Sequence, residues 1–324
     1  MSGQENVNKP ISYREYYELG KRSLEAAEIE EAALDARLLL EYVCHTDRNA
    51  LLVYGDREVE PQLAEQYLEL IAKRSQHIPL QHLTGVQDFM GLTFKVSDKV
   101  LIPRQDTEIL VEEAMKELHD GMRILDMCTG SGCILISLLH YSNDCRGVGV
   151  DISGEALEVA RKNACSILSE NACSILSENA CGILEKQQAD QGASDEEASL
   201  PEGISFICSN LFEQVEGKFD MIVSNPPYIR TDVIETLMPE VKDHEPVQAL
   251  DGAEDGLYFY RKIIDEGRGF LERGGMLYFE IGYDQAKDVS RLMEEAGFAE
   301  IEVVQDYAGL DRVVYGTYVG GKDV

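Results

Sequence analysis

The chain has 324 residues, of which 44% are hydrophobic and 27% charged, a composition that excludes wholesale disorder and fibrous repeats. The formal charge of −31 argues against a nucleic-acid partner, because such affinity rests on Lys and Arg contacts that release counterions from phosphates. At roughly 150 residues per domain, the length predicts about two domains.

The polar start, MSGQENVNKP, lacks the apolar core of a signal peptide. No stretch approaches the ~20 apolar residues that span a bilayer. A cytoplasmic protein without a membrane contact is therefore expected. Its eight cysteines form no C-x-x-C pair, so free thiols are expected and no metal site.

Residues 1–76 are expected to form a small helical bundle serving as an interaction module. From residue 13, YREYYELGKRSLEAAEIEEAALDARLLLEYV places apolar residues three and four apart among strong helix formers. A further helix, PQLAEQYLELIAKRSQ, begins at Pro61, a residue tolerated in a first helical turn. Residues 77–105 change period. Phe89, Leu92, Phe94 and Val96 nearly alternate, with Gly85 and Gly91 as punctuation, which predicts a hairpin linking two domains. Asp106-Thr107-Glu108 then opens a helix with acidic residues near its positive end.

Over 106–324 strand and helix patterns alternate. The strands are read as MRILDM, GVGVD, ISFICS, FDMIVSN, GMLYFEIG, IEVVQD and RVVYGTYV, with helices after the first two and at about 256–271 and 285–296. Ser153 is placed to cap the helix EALEVARKNA. The expected architecture is α/β: a mostly parallel sheet covered on both faces, with ligands beyond the carboxyl ends of its strands. An insertion at about 165–200 interrupts it. NACSILSE at 163–170 recurs at 171–178 and as NACGILE at 179–185, followed by a polar, acidic stretch. A period of eight turns about 80° past two helical turns, so the repeated cysteines drift off one face and do not form a metal array. A tandem duplication tolerated in a surface loop is the expected explanation.

Two constellations carry chemistry. The first strand ends at Asp126, and Cys128-Thr129-Gly130-Ser131-Gly132 leads straight into a helix. Glycine permits a sharp turn and close approach of a ligand to backbone N–H groups. Asp151 ends the next strand, 21 residues after Gly130, the spacing at which an acidic side chain meets ribose hydroxyls in nucleotide-binding α/β folds. Two carboxylates, Asp126 and Asp151, make a poor pyrophosphate cradle. A cationic, phosphate-free nucleoside such as S-adenosyl-L-methionine fits better than NAD.

The second is Asn225-Pro226-Pro227-Tyr228, at the end of the buried strand FDMIVS. Two prolines remove two donors and fix φ, so the strand must stop in a stiff loop. Such a loop suits a planar NH2 group. Asn225 Oδ1 and the Pro226 carbonyl would accept its hydrogens, and Tyr228 would pack on its face.

D-x-C-T-G-S-G, the strand-end Asp151 and NPPY together resemble an S-adenosylmethionine-dependent amino-methyltransferase of the seven-stranded, Rossmann-like class. QHLTG at 81–85, PRQDTE at 103–108 and HEPVQAL at 244–250 resemble the PrmC/HemK family, which methylates the N5 side-chain nitrogen of a glutamine in class I peptide chain release factors. A sister family modifies a ribosomal protein and shares NPPY, but PRQDTE favours the release-factor enzyme.

The resemblance implies that Cys128, Thr129, Gly130, Ser131 and Gly132 line the methionine part of the cofactor and that Asp151 takes the ribose hydroxyls. It places Asn210-Leu211 beside the adenine, Asn210 standing where the family commonly has Asp. It also implies that the N-terminal bundle grips the release factor while its Gly-Gly-Gln loop enters the NPPY pocket. A monomer is expected, with His244 structural. Two other readings stay open: a methyltransferase of DNA adenine N6 or RNA guanine N2, and a catalytically silent binding module.

Overall fold

The computed structural model describes residues 12–169 and 199–320. They fall into two compact units, with the chain passing from one to the other between Gly85 and Val86. The second and third copies of the octapeptide, and Cys173 and Cys181 with them, lie outside the described residues.

The first unit is helical: α1 (Tyr13–Ala26), α2 (Ala32–Cys44), α3 (Arg48–Val53), α4 (Pro61–Arg74) and α5 (Leu80–Thr84). Ser12 starts α1 through a capping box, its hydroxyl accepting from Glu15 N while Glu15 Oε2 accepts from Ser12 N at 2.9 Å. The last helix, α5, lies in the stretch whose sequence reads as linker. Leu24, Leu39, Leu40 and Tyr67 are fully buried between the helices. One ion pair is buried with them: Arg74 Nε donates to Asp35 Oδ2 at 2.7 Å.

The second unit begins with an antiparallel hairpin, β1 (Val86–Phe89) and β2 (Leu92–Lys95), whose Phe89 and Phe94 enter the core. There follow α6 (Gln105–Lys116), β3 (Arg123–Met127), α7 (Cys133–His140), β4 (Arg146–Asp151), α8 (Gly154–Leu168), β5 (Ile204–Cys208) and β6 (Phe219–Ser224). Two short helices, α9 (Thr231–Ile234) and α10 (Pro239–Lys242), precede α11 (Tyr258–Gly267), β7 (Leu271–Glu280), α12 (Ala286–Glu295), β8 (Phe298–Gln305) and β9 (Asp311–Tyr318). The seven-stranded sheet runs β5-β4-β3-β6-β7-β9-β8. Its first five strands are parallel; β9 is antiparallel to β7, and the edge strand β8, antiparallel to β9, runs with the first five. β7 starts at Leu271, four residues before the GMLYFEIG run, because its Leu271 pairs with Phe219 across a register shift.

The chain moves from β3 outward to β4 and β5, then returns to β6 on the other flank of β3. That reversal opens a crevice at the carboxyl ends of β3 and β6. Register aligns the rim. Ile207, Val150, Met127, Ser224 and Phe279 pair in one row across the sheet. The next residue on each strand is therefore Cys208, Asp151, Cys128, Asn225 or Glu280. Pairing alone brings these five side by side. Among the described residues, no helix is long and apolar enough to cross a membrane.

Candidate active site

After β3 the chain turns with Cys128 at φ 63° and Gly130 at φ 55°, then enters α7 from Gly132 at φ 79°. At Gly132 a side chain would be strained on two counts, since its Cβ would also lie 2.8 Å from Ile136 Cδ1 and 3.2 Å from Ala160 Cβ. The turn is anchored from both sides. Thr129 N donates to Val150 O at 2.9 Å. Asn163 on α8, the first residue of the octapeptide, donates to Ser131 O at 2.9 Å and Lys95 O at 3.0 Å while accepting from Lys95 N at 2.7 Å.

Asp151 is held by two backbone donors, Gly130 N on Oδ2 and Ser153 N on Oδ1, each at 2.9 Å. Burial still pushes its carboxyl above the usual range. Asn210 donates through Nδ2 to Glu213 Oε1 at 2.8 Å, which leaves its side-chain carbonyl as the group available to an amino donor. Ser224 Oγ donates to Met127 O at 2.6 Å and ties the two loops together where Cys128 and Asn225 emerge.

The loops enclose a cavity of about 370 Å³. Cys128, Thr129, Gly130, Ser131, Asp151, Asn210, Leu211, Asn225 and Pro227 all line it. So do Leu101, Pro103 and Arg104 from the segment before α6, Thr107 from its first turn, and Tyr258 and Phe259 from α11. Its lining is mainly apolar, with the carboxylates Asp151 and Asp251 beside backbone and amide groups, and its two cations, Lys99 and Arg104, are paired with Glu155 at 3.7 Å and Glu245 at 2.7 Å. The carboxylates suit a nucleoside bearing hydroxyls and a positive charge.

A family model described as the PrmC N-terminal domain matches residues 15–85, and one described as Eco57I restriction-modification methylase matches residues 147–280. A release factor glutamine methyltransferase of Clostridium acetobutylicum is 39% identical over 282 residues, covering 86% of this chain and 89% of that protein. One from Agrobacterium fabrum is 35% identical over 300 residues, covering 91% and 93%. The chain belongs to the release factor glutamine methyltransferase family. A solved protein-(glutamine-N5) methyltransferase (release factor-specific) from Alicyclobacillus acidocaldarius is 26% identical, covers 69% of this chain and 98% of its own, and superposes with a TM-score of 0.36.

Four residues that the family resemblance or the motifs place at the ligands do not line the cavity: Asp126, Gly132, Pro226 and Tyr228. Asp126 is fully buried behind the turn, where its Oδ2 accepts from Thr129 Oγ1 at 2.5 Å. Gly132 is closed off by Ile136 and Ala160. Pro226 is buried. The Tyr228 hydroxyl donates to Glu280 Oε1 at 3.3 Å, so its polar end engages the protein. His244 does not line the cavity either, whereas its neighbour Glu245 accepts from Arg104 Nη2 at 2.7 Å.

Sequence reading assigned no role at this candidate site to several of the residues that build it. In PRQDTE, Arg104 pairs with Glu245 and Asp106 with Arg312. Thr107 donates to Glu280 Oε2 at 2.5 Å, and Glu108 Oε1 accepts from Met90 N at 2.6 Å, closing the β1–β2 turn. The motif thus supplies four anchors within five residues. The available signal for Glu280 was a carboxylate ending an otherwise apolar strand, LYFE.

Proposed function

We propose that this chain transfers a methyl group from S-adenosyl-L-methionine to the side-chain amide nitrogen of the glutamine in the Gly-Gly-Gln loop of class I peptide chain release factors. It would thereby tune translation termination in the cytoplasm. The reading rests on family membership and, within the structure, on one observation: Cys128 to Ser131 of the glycine turn, Asp151, Asn225 and Pro227 open into a single cavity.

Bound S-adenosylmethionine supplies a methyl on a sulfonium, already activated for in-line displacement. The protein has to bind, align and desolvate. Each Asp151 oxygen spends one lone pair on a backbone N–H and keeps another for a ribose hydroxyl. The Asn210 carbonyl suits an adenine amino group, and Leu211 supplies an apolar flank. Burial pushes the Cys128 thiol well up, so it stays protonated and does not compete as a nucleophile.

An amide nitrogen is a weak nucleophile because its lone pair is delocalised into the carbonyl. Asn225 Oδ1 accepting one of its N–H bonds raises electron density at nitrogen as the new bond forms. Such contacts accelerate where they strengthen toward the transition state. No histidine lines the cavity. None is needed, because the methylated nitrogen becomes acidic and releases its proton after transfer.

Radiolabelled cofactor offered with a class I release factor and, in parallel, with duplex DNA tests the reading. Label on the protein, located by mass spectrometry to the Gly-Gly-Gln glutamine, is the expected result. Label on DNA alone would reverse it. The DNA arm answers the partial match to a restriction-modification methylase, against which the charge of −31 weighs.

A further inference from the structure

We infer that Thr107 and Glu280 are positioning residues that fix the orientation of the Asn225 carboxamide, so that its oxygen and not its NH2 faces the substrate nitrogen. The inference rests on the proposed amide-methylating role and names the groups that make Asn225 selective.

Three contacts form a relay. Asn225 Nδ2 lies 3.3 Å from Thr107 Oγ1, Thr107 Oγ1 lies 2.5 Å from Glu280 Oε2, and Tyr228 Oη lies 3.3 Å from Glu280 Oε1. Thr107 and Glu280 are each 2% exposed, so water does not compete. An ionised carboxylate only accepts, and a hydroxyl has a single proton. Thr107 must therefore donate to Glu280 and has only lone pairs left for Asn225. The Asn225 group facing Thr107 is then NH2, which turns Oδ1 the other way. With both oxygens of Glu280 engaged by hydroxyls, the direction of every bond follows from one negative charge.

A proton on Glu280 would reverse the logic. The carboxyl O–H could donate to Thr107, Thr107 to Asn225 Oδ1, and the amide would present a donor to a substrate donor. The surroundings poise this group. From α6 it faces Thr107 and Asp106, from α7 Cys133, from the NPPY loop Tyr228, from α11 Tyr260, and from β9 Arg312. Tyr260 Oη donates to the Glu280 backbone carbonyl at 3.0 Å. Arg312 is divided between Asp106 at 3.2 Å and Asp306 at 3.0 Å. Burial pushes the Glu280 carboxyl up to about 7 against the Thr107 hydrogen bond and the Arg312 charge.

The test measures kcat on a release factor, cofactor affinity by calorimetry, and the pH profile of kcat, with wild-type enzyme alongside. Thr107→Val should lower kcat about 10- to 100-fold, as losses of outer supporting contacts do, with cofactor affinity unchanged. Thr107→Ser, which keeps the hydroxyl, should restore most of it. The wild-type profile should rise with pH through neutrality, and Glu280→Gln should flatten that limb. Equal kcat for Thr107→Val and wild type would overturn the inference, as would a Glu280→Gln profile that still rises. Should wild-type enzyme leave release factor unmodified, the proposed function falls instead, so the two failures are separable.

Discussion

The backbone N–H of Gly130 donates to Asp151 Oδ2 at 2.9 Å, joining the glycine turn after β3 to the carboxylate that ends β4. The two expected halves of the nucleoside site are thus one hydrogen-bonded unit. Asp151→Ala removes the proposed acceptor for two ribose hydroxyls and a prop of the turn. Hydrogen bonds to a charged group contribute about 1.5–3 kcal/mol, so cofactor affinity should fall roughly 10- to 100-fold. Asp151→Asn, which keeps one oxygen, should fall less. Calorimetry showing wild-type affinity for Asp151→Ala would remove the ribose assignment.

Asn225→Ala should act on turnover and spare cofactor binding. Its carboxamide lines the cavity, yet the groups suited to the nucleoside, Asp151 and Asn210, lie on the β4 and β5 loops. Losing one preorganised polar group at a reacting centre costs on the order of 100-fold in rate. Single-turnover methylation with saturating cofactor reads this directly. A rate equal to wild type would show that Asn225 does not touch the reacting amide.

The succession of strands and helices and the two strand-end motifs were legible in the sequence because they are local. A buried apolar run, a glycine turn and a double proline each dictate their own geometry. Register was not legible, and register is what sets Asp151, Cys128, Asn225 and Glu280 along one rim. The Thr107–Glu280 contact joins residues 173 positions apart, and neither belongs to a motif that names its partner. Tyr228 shows the converse. Its presence beside Pro227 suggests an aromatic face for the substrate, but a buried carboxylate within reach takes its hydroxyl. Polar side chains in a closed interior satisfy the partner the fold supplies, and only the fold reveals it.

In the first unit, Arg74 and Asp35 form an ion pair with side-chain exposures of 4% and 7%. Arg74→Met would leave the Asp35 carboxylate buried without its cation, at a cost of about 3–5 kcal/mol. The double variant Asp35→Leu with Arg74→Met removes both charges and should recover most of that loss. Denaturant midpoints of the two variants and wild type check the ordering. If the double variant were as unstable as the single one, the pair would be stabilising by more than mutual neutralisation.

Asp126 gives the fold a pH dependence opposite to that of an ordinary carboxylate pair. It is fully buried, with Oδ2 accepting from Thr129 and Oδ1 without a hydrogen-bond partner. Burial pushes its carboxyl up to about 7, from 3.8 in an unfolded chain. Between those values the folded protein holds a proton that the unfolded chain has released. Folding therefore takes up a proton in this window, and the contribution is present in full below about 4 and lost as pH rises toward 7. Asp126→Asn mimics the protonated form at every pH. Its stability relative to wild type should climb between pH 4 and 7, by on the order of a few kcal/mol in total, and stay level above. Taking the difference cancels the parallel contribution of Glu280, whose carboxyl is shifted the same way. Unfolding midpoints of the two proteins that run parallel across this range would mean that Asp126 is ionised in the fold and that a water or a cation reaches Oδ1.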